Sequence, residues 1–292
     1  MSFPLLRLPL LCLEEIIQEY DVYELVFLAQ SSKRCYRLVR QLCRSIKAMS
    51  VMIGAIRHVT FEPKREHWFF TQDKSEEKRI SAMYNFGQYF FSSGQHIDLT
   101  MKSMIEYFLE LFRCPINEVK INIDFIYNTL DFGFTQCKRI EYSGLRYMDH
   151  QSLDYLFRYF RVTDVMNIAV PIHHNFYFDP KIFNSRTVMF AVQSCQWIGY
   201  FVFLEFDHIE NLGLIAPAFE KRATITYLSR WLASESTVLK RLGIQHKATA
   251  EELRFTRHLP MEFSRLCRKD GVKAIILEDP SLVMFKTSPK EF

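Results

Sequence analysis

The sequence contains little that would build a metal site or a disulfide framework. Its seven cysteines are odd in number and widely spaced, and no two of them form a C-x-x-C pair. A zinc module or a disulfide-stapled domain needs cysteines at short, paired spacings. We therefore expect reduced thiols, no metal, and a cytoplasmic or nuclear location.

Phosphate-binding and catalytic motifs are also missing. The nine glycines are isolated, so no glycine-rich loop can present successive backbone N–H groups to a phosphate. No nucleophile lies in a turn of the G-x-S-x-G type. His173 and His174 would point to opposite faces of a strand and would need further ligands to hold an ion. We expect no cofactor and no catalytic residue, and a hydrolase or metal enzyme is only a third alternative.

Neither a strong charge of one sign nor a long apolar run is present. The net charge is +4 with basic and acidic residues interspersed, so no nucleic-acid partner is indicated. No apolar run reaches the roughly 18 residues of a membrane-spanning helix. The apolar residues 3–13 include Arg7 and are followed by Glu14 and Glu15, unlike a secretory signal. We expect a soluble globular protein without a membrane partner.

The N-terminal region has apolar residues at helical spacing. Pro9 and Asp21 are residue types that suit the start of the first two predicted helices. Ser31 or Ser32 suits the start of the third. Helices that total about forty residues bury too little surface to be stable alone. We therefore expect their apolar residues to be covered by something else.

The same window resembles the F-box pattern, Leu-Pro-x-x-x-Leu-x-x-Ile-x-x-x-Leu followed by Asp-Leu-x-x-Leu and Cys-x-x-Trp. The resemblance implies that residues 1–46 dock on the Skp linker of Skp-cullin-F-box ubiquitin ligases, and through it on a cullin-RING ligase. Cys35 stands where the pattern has Trp, which removes aromatic area. Alternatively, these residues form only the core of a helical subdomain. The residues assigned to linker binding are Leu8, Pro9, Leu13, Ile16, Ile17, Leu25, Leu28, Ser32 and Cys35.

Beyond residue 47 the pattern changes to alternating strands and helices. Amphipathic helices are predicted at "MKSMIEYFLELF", "DHQSLDYLFRYF" and "KRATITYLSRWL". The predicted strand positions are 21, 25, 24 and 20 residues apart, at Val119, Ile140, Val165, Met189 and Ile209. Such periods are typical of leucine-rich-repeat solenoids. We therefore expect an α/β protein, with a three-helix F-box over residues 1–46 and a leucine-rich-repeat-like strand-helix solenoid over residues 47–292.

The C-terminal part resembles the closing portion of the nematode F-box-associated domain. That family has a helix with a Trp, a Leu-rich strand and a terminal Arg-x-Asp-Gly hairpin. Asp270-Gly271 is also a two-residue hairpin pattern in its own right. The positions that carry the resemblance are Leu228, Trp231, Leu239, Leu242, Ile244, Arg268, Asp270 and Gly271.

Together these resemblances imply a non-catalytic substrate-recognition subunit that recruits an unidentified protein for ubiquitination. The alternative is an interaction scaffold or inhibitor whose F-box does not assemble a ligase. Trp231 is expected in the core, whereas Trp197 suits the core and a binding surface equally well. The residues predicted to contact a substrate are Lys120, Asn122, Arg139, Glu141, His173, His174 and Trp197.

Overall fold

The chain folds into two compact units, Met1–Cys137 and Lys138–Phe292. The predicted boundary near residue 47 does not coincide with this division, because the N-terminal helices share the first unit with five strands. The computed structural model describes residues 5–83, 89–126, 131–215, 217–219, 221–233, 238–245, 262–267, 272–278 and 282–288.

The first unit begins with the three predicted helices. After a 3-10 turn at Leu5–Arg7 they are α1 (Leu10–Glu19), α2 (Val22–Ser31) and α3 (Lys33–Leu42). Asp21 caps α2 in a capping box with Glu24: its carboxylate accepts from the Glu24 N–H at 2.7 Å, and its own N–H donates to the Glu24 carboxylate at 3.0 Å. Ser32 caps α3 by accepting from the Cys35 N–H at 3.1 Å. The expected starts of α2 and α3 are therefore confirmed, with Ser32 as the cap of α3, whereas Pro9 directly precedes α1 instead of lying in its first turn.

Five adjacent strands follow in the first unit. These are β1 (Ala48–Ile53), β2 (Arg57–Glu62), β3 (Glu66–Thr71), β4 (Tyr89–Ser93) and β5 (Ile116–Asn122). They lie in the order β5-β1-β2-β3-β4, with β1 parallel to β5, antiparallel pairs β1–β2 and β2–β3, and β4 parallel to β3. Two helices complete the unit, α4 (Lys74–Met83) and α5 (Ile97–Phe112).

Helix α5 covers one face of this sheet with aromatic side chains. Phe108 is fully buried, and its ring centroid lies 5.0 Å from that of Phe61 and 5.2 Å from that of Trp68, both edge-to-face. Edge-to-face pairs are favourable because the positive edge of one ring meets the negative face of the next. Since strand side chains alternate, the neighbours of Phe61 on β2 point to the opposite face.

The second unit contains the remaining strands and helices. Its strands lie in the order β6-β7-β8-β9-β10-β13-β12-β11, and β7 to β10 are successive parallel neighbours. The pairs β10–β13, β13–β12 and β12–β11 are antiparallel. The elements are β6 (Gln136–Ser143), α6 (His150–Tyr159), β7 (Arg161–Ala169), β8 (Thr187–Phe190), α7 (Tyr200–Phe203), β9 (Asn211–Ile215), α8 (Lys221–Ala233), β10 (Arg241–Gln245), β11 (Glu262–Cys267), β12 (Lys273–Glu278) and β13 (Leu282–Ser288).

Most of the predicted strand positions lie in strands. Val119, Ile140, Val165 and Met189 fall in β5, β6, β7 and β8, while Ile209 lies just before β9. From β7 to β10, each strand pairs in parallel with the one before it. Parallel neighbours that follow each other in the chain need a crossover connection between them. Arg268, Asp270 and Gly271 lie outside the described residues.

Aromatic rings form the core of the second unit. Phe183, fully buried, lies 5.2 Å from Phe190 and 6.0 Å from Trp197 between ring centroids. Trp197 itself is 4% exposed and also contacts Phe178. Its burial makes it a core residue, so its ring is not available for the substrate contact predicted from the sequence. Trp231 is buried as expected.

Replacing Phe183 by Ala should lower the free energy of unfolding of the second unit by about 3–5 kcal/mol, because it empties a closely packed aromatic site. Phe201→Ala is the matched control, since Phe201 is 78% exposed and its loss should cost less than about 0.5 kcal/mol. Urea unfolding followed by tryptophan fluorescence measures both, with Trp197 next to Phe183 as the local reporter. Equal losses in the two variants would contradict this core assignment.

A candidate docking site on the N-terminal helices

Helices α1 and α2 expose large apolar side chains, which we call the apolar surface set: Leu10, Leu11, Tyr23 and Phe27. Leu10 and Leu11 occupy the first turn of α1, and Leu11 is 76% exposed. Phe27 on α2 is 65% exposed. Both helices also bury a stripe on their other side, so each carries apolar residues on two sides, more than packing within the chain requires. Large apolar residues exposed in this way mark interaction sites.

Tyr23 links this set to the sheet of the first unit. Its ring stacks on Phe90 of β4 with centroids 5.2 Å apart, and on Phe27 with centroids 6.2 Å apart. The Tyr23 ring is about half exposed. Phe27 is therefore held against a supported ring, which lowers the entropy lost when a partner covers it.

The structure divides the residues predicted to bind the linker into buried and accessible ones. Leu13, Ile17, Leu25 and Cys35 are buried, Leu8, Ile16 and Leu28 are half-buried, and Pro9 and Ser32 are exposed. The four buried side chains pack inside the first unit, so they support the helices instead of meeting a partner directly. Cys35, which stands where the F-box pattern has Trp, therefore acts on the packing beneath the helix surface. The most exposed residues, Leu10, Leu11 and Phe27, were not predicted as site residues.

The junction between α1 and α2 is held by Lys64, which lies in the turn between β2 and β3. Its Nζ donates to the carbonyl oxygens of Tyr20 at 2.8 Å, Gln18 at 3.3 Å and Glu19 at 3.4 Å. These are carbonyls at the end of α1, where the helix leaves its acceptors unsatisfied and carries partial negative charge. An ammonium group with three donors satisfies them.

Glu66, at the start of β3, binds the beginning of α2 in the complementary way. Its carboxylate accepts from the Val22 N–H at 2.6 Å, and the Glu66 residue is only 4% exposed. An N–H in the first turn of a helix has no intrahelical acceptor, so a carboxylate is favoured there. Burial raises the pKa of Glu66, although the Val22 N–H and the Lys64 ammonium act in the opposite direction. We call Lys64 and Glu66 together the hairpin clamp.

Gln18 connects the same end of α1 to the end of α3. Its side-chain amide donates to the Leu42 carbonyl and accepts from the Arg44 N–H at 3.2 Å. An exposed ion pair between Arg44 and Glu14, 3.6 Å, joins the same two segments, although a pair exposed to water adds little. The arrangement of the three helices is thus fixed at the junction, away from the first turn of α1.

The residues predicted to contact a substrate are divided between the two units. Lys120 is half-buried and lies 3.8 Å from Glu118. Asn122 accepts from the Asp124 N–H at 3.0 Å and so begins a 3-10 turn. In the second unit Arg139 is exposed and Glu141 half-buried.

His173 and His174 are exposed and stack on each other with ring centroids 4.4 Å apart. Within the described part of the chain, no group of three or more His, Cys, Asp or Glu residues is placed to hold a metal.

Burial controls the thiol chemistry. It raises the pKa of Cys114, Cys137 and Cys195 to about 12. Because the thiolate is the nucleophile, such thiols are poorly reactive near neutral pH.

Among the described residues, no helix combines the length and the hydropathy needed to cross a membrane.

The accessible apolar residues lie in a recognisable domain. Residues 5–47 match the family model of the F-box domain. The chain therefore has an N-terminal F-box, which comprises α1, α2 and α3 and the apolar surface set. Searches of curated proteins and of solved structures found no match to the chain.

Replacing Glu66 by Ala should destabilise the first unit by about 2–3 kcal/mol, because the buried Val22 N–H loses its acceptor. Glu66→Gln should recover most of this loss, since the amide oxygen can still accept. Glu15→Ala, at an exposed position of α1, is the control and should change stability by less than about 0.5 kcal/mol. Urea denaturation of the three variants tests the assignment, and an equally stable Glu66→Ala variant would refute the role of the clamp.

The hairpin clamp also predicts a pH dependence with a definite sign. Because the folded-state pKa of Glu66 is raised, the folded chain binds its proton more tightly than the unfolded chain. That stabilisation is complete below the ordinary glutamate pKa and is lost as the pH rises through the folded-state value. The free energy of unfolding of the native chain should therefore fall relative to that of Glu66→Gln as the pH rises above the ordinary value. Denaturant titrations at successive pH values measure the difference, and an opposite slope would contradict the raised pKa.

Proposed function

We propose that the chain is a substrate-recognition subunit of a Skp-cullin-F-box ubiquitin ligase. The proposal rests on one observation: the segment that matches the F-box, residues 5–47, is also the segment that exposes the apolar surface set on α1 and α2. In this function the F-box binds the Skp linker, and through it a cullin-RING ligase. The strand-rich remainder of the chain holds a protein for ubiquitination.

The apolar surface set supplies the contact that a linker would cover. Leu11 and Phe27 expose most of their side-chain surface, and burying such a side chain contributes about 1.5–3 kcal/mol. Pro9, also exposed, accepts the first helical hydrogen bond through its carbonyl, from the Leu13 N–H at 3.1 Å. It thereby fixes where α1 begins and where Leu10 and Leu11 stand.

The remainder of the chain fits recruitment better than catalysis. We propose that it is a leucine-rich-repeat-like solenoid of the nematode F-box-associated type. Supporting this are the successive parallel strands β7 to β10 and the buried Leu228, Trp231, Leu242 and Ile244, which match the family's apolar positions. We propose further that the chain itself catalyses nothing and acts in the cytoplasm or the nucleus.

A scaffold or inhibitor that does not assemble a ligase is the second candidate. The observation that favours it is Cys35, which is buried where the F-box pattern has Trp. A smaller core residue changes how neighbouring side chains pack, and so it changes the helix surface presented to the linker. Direct measurement of linker binding separates the two functions.

Replacing Leu11 and Phe27 together by Asp should weaken binding of the Skp linker at least a hundredfold, because two charges would be buried against an apolar surface. Leu99→Asp is the matched control: Leu99 is an exposed helical leucine of the same unit, outside the F-box. The affinity of the Leu99→Asp variant for the linker should stay within about threefold of the native value. Isothermal titration calorimetry with the purified linker measures all three proteins.

Circular dichroism must show that each variant keeps its helices. Binding of the double variant at native affinity would exclude the apolar surface set as the linker contact. Native protein that does not bind the linker at all would instead support the scaffold or inhibitor.

A further inference from the structure

The face of the first unit's sheet opposite α5 contains a pocket of about 790 Å³. It is lined by residues of β1, β2, β3 and β5, by the β2–β3 turn and by Lys47, which immediately precedes β1. Its position follows from the alternation of strand side chains: Phe61 points to α5, so Thr60 and Glu62 point into the pocket. The lining residues are Lys47, Ser50, Val51, Met52, His58, Thr60, Glu62, Pro63, Arg65, His67, Glu118 and Lys120.

The two carboxylates of the pocket are already engaged. Glu62 accepts from the Ser50 hydroxyl at 3.0 Å and from the Asn117 amide at 3.4 Å. Glu118 lies 3.8 Å from the Lys120 ammonium. Glu118 is therefore paired with a cation, whereas the neutral Ser50 and Asn117 satisfy Glu62 without cancelling its charge.

Two of the cations are not engaged in this way. Lys47 and Arg65 are exposed, and within the described residues neither side chain has a hydrogen-bonding or ion-pair partner. Lys47 is nevertheless fixed near Glu62 by its backbone, since its N–H donates to the Glu62 carbonyl at 2.9 Å. The Arg65 N–H donates to the Phe61 carbonyl at 2.8 Å. Both cations therefore stand at the same end of β2.

The imidazoles at the base of the pocket do not add charge at neutral pH. Burial lowers the pKa of His58 to about 4 and also lowers the pKa of His67. His67 shares a hydrogen bond with the Thr60 hydroxyl at 3.0 Å. The two imidazoles are therefore polar and neutral. Three cations and two carboxylates line the pocket, which leaves one net positive charge, and Lys47 and Arg65 are the cations that are not paired with Glu118.

We propose that this pocket binds an acidic segment of a protein chain, with a carboxylate or phosphorylated side chain between Lys47 and Arg65. A volume of about 790 Å³ is within the range of sites that enclose a ligand of several groups. Arginine can bind such oxygens through two parallel hydrogen bonds, and lysine adds a second cation. The segment would belong to the recruited substrate, and to that extent the assignment depends on the proposed function.

The test is fluorescence anisotropy of labelled eight-residue peptides on the purified full chain. One peptide is rich in Glu, a second carries phosphoserine in place of two Glu, and a third, with Gln for Glu, is the neutral control. The pocket variant is Lys47→Glu with Arg65→Glu. Lys74→Glu with Lys78→Glu makes the same change of charge at exposed positions of α4 outside the pocket.

Both acidic peptides, or only one of them, should bind saturably, and the peptide that binds more tightly identifies the source of the anion. The pocket variant should bind at least tenfold more weakly, the α4 variant within about twofold, and the neutral peptide not measurably. If charge reversal unfolds the chain, binding of the acidic peptides is measured with a milder variant, Lys47→Gln with Arg65→Gln. Absent binding of both acidic peptides, or equal weakening in the two charge variants, would overturn the proposal. Linker binding by the native chain is measured separately by calorimetry, so failure of this proposal is distinct from failure of the F-box function.

Discussion

The arrangement of the F-box depends on two opposite charges in one β-hairpin. Lys64 binds the carbonyl end of α1, and two residues later Glu66 binds the N–H end of α2. Each charge has the sign that its helix end favours. Each side chain also forms hydrogen bonds with backbone groups that have no partner within the helix. Glu66 does so at a desolvation cost, visible in its raised pKa, which its buried N–H partner only partly offsets. Part of what holds the junction of α1 and α2 therefore comes from residues outside the matched F-box segment.

This dependence explains why a short three-helix module does not form a separate unit. The buried stripe of the helices, which includes Leu13, Ile17 and Leu25, packs inside the unit Met1–Cys137. The hairpin and α5 belong to the same unit. Once that stripe is covered, Leu11 and Phe27 remain on the accessible side. A helix with apolar residues on two sides can thus serve its own unit and a partner together. The cost is an apolar surface exposed to water whenever the partner is absent.

Local structure was predictable from the sequence, whereas long-range contacts were not. Asp21 and Ser32 act through residues three positions ahead, so their capping roles follow from the sequence itself. The hairpin clamp joins positions more than forty residues apart, which no periodicity reveals. Periodicity likewise identifies the helical stripe of α1 but does not state which side of the helix is covered within the unit. The prediction from sequence therefore includes the buried Ile17 and omits the exposed Leu11. Trp197 could not be assigned because aromatic residues favour both cores and binding surfaces.

The hairpin between β2 and β3 also relates the two surfaces of the first unit. Lys64 and Glu66 contact the helices, and Arg65 between them lines the pocket. Arg65 has a φ of 56°, a left-handed conformation that few residues other than glycine adopt, so the side chains at this turn are directed by an unusual backbone. A ligand that restrains Arg65 would also restrain the neighbours that hold α1 and α2. On the proposed assignments, the two surfaces suit different modes of binding: an apolar contact that is insensitive to salt for the linker, and a charged contact that salt weakens for a segment that must be released.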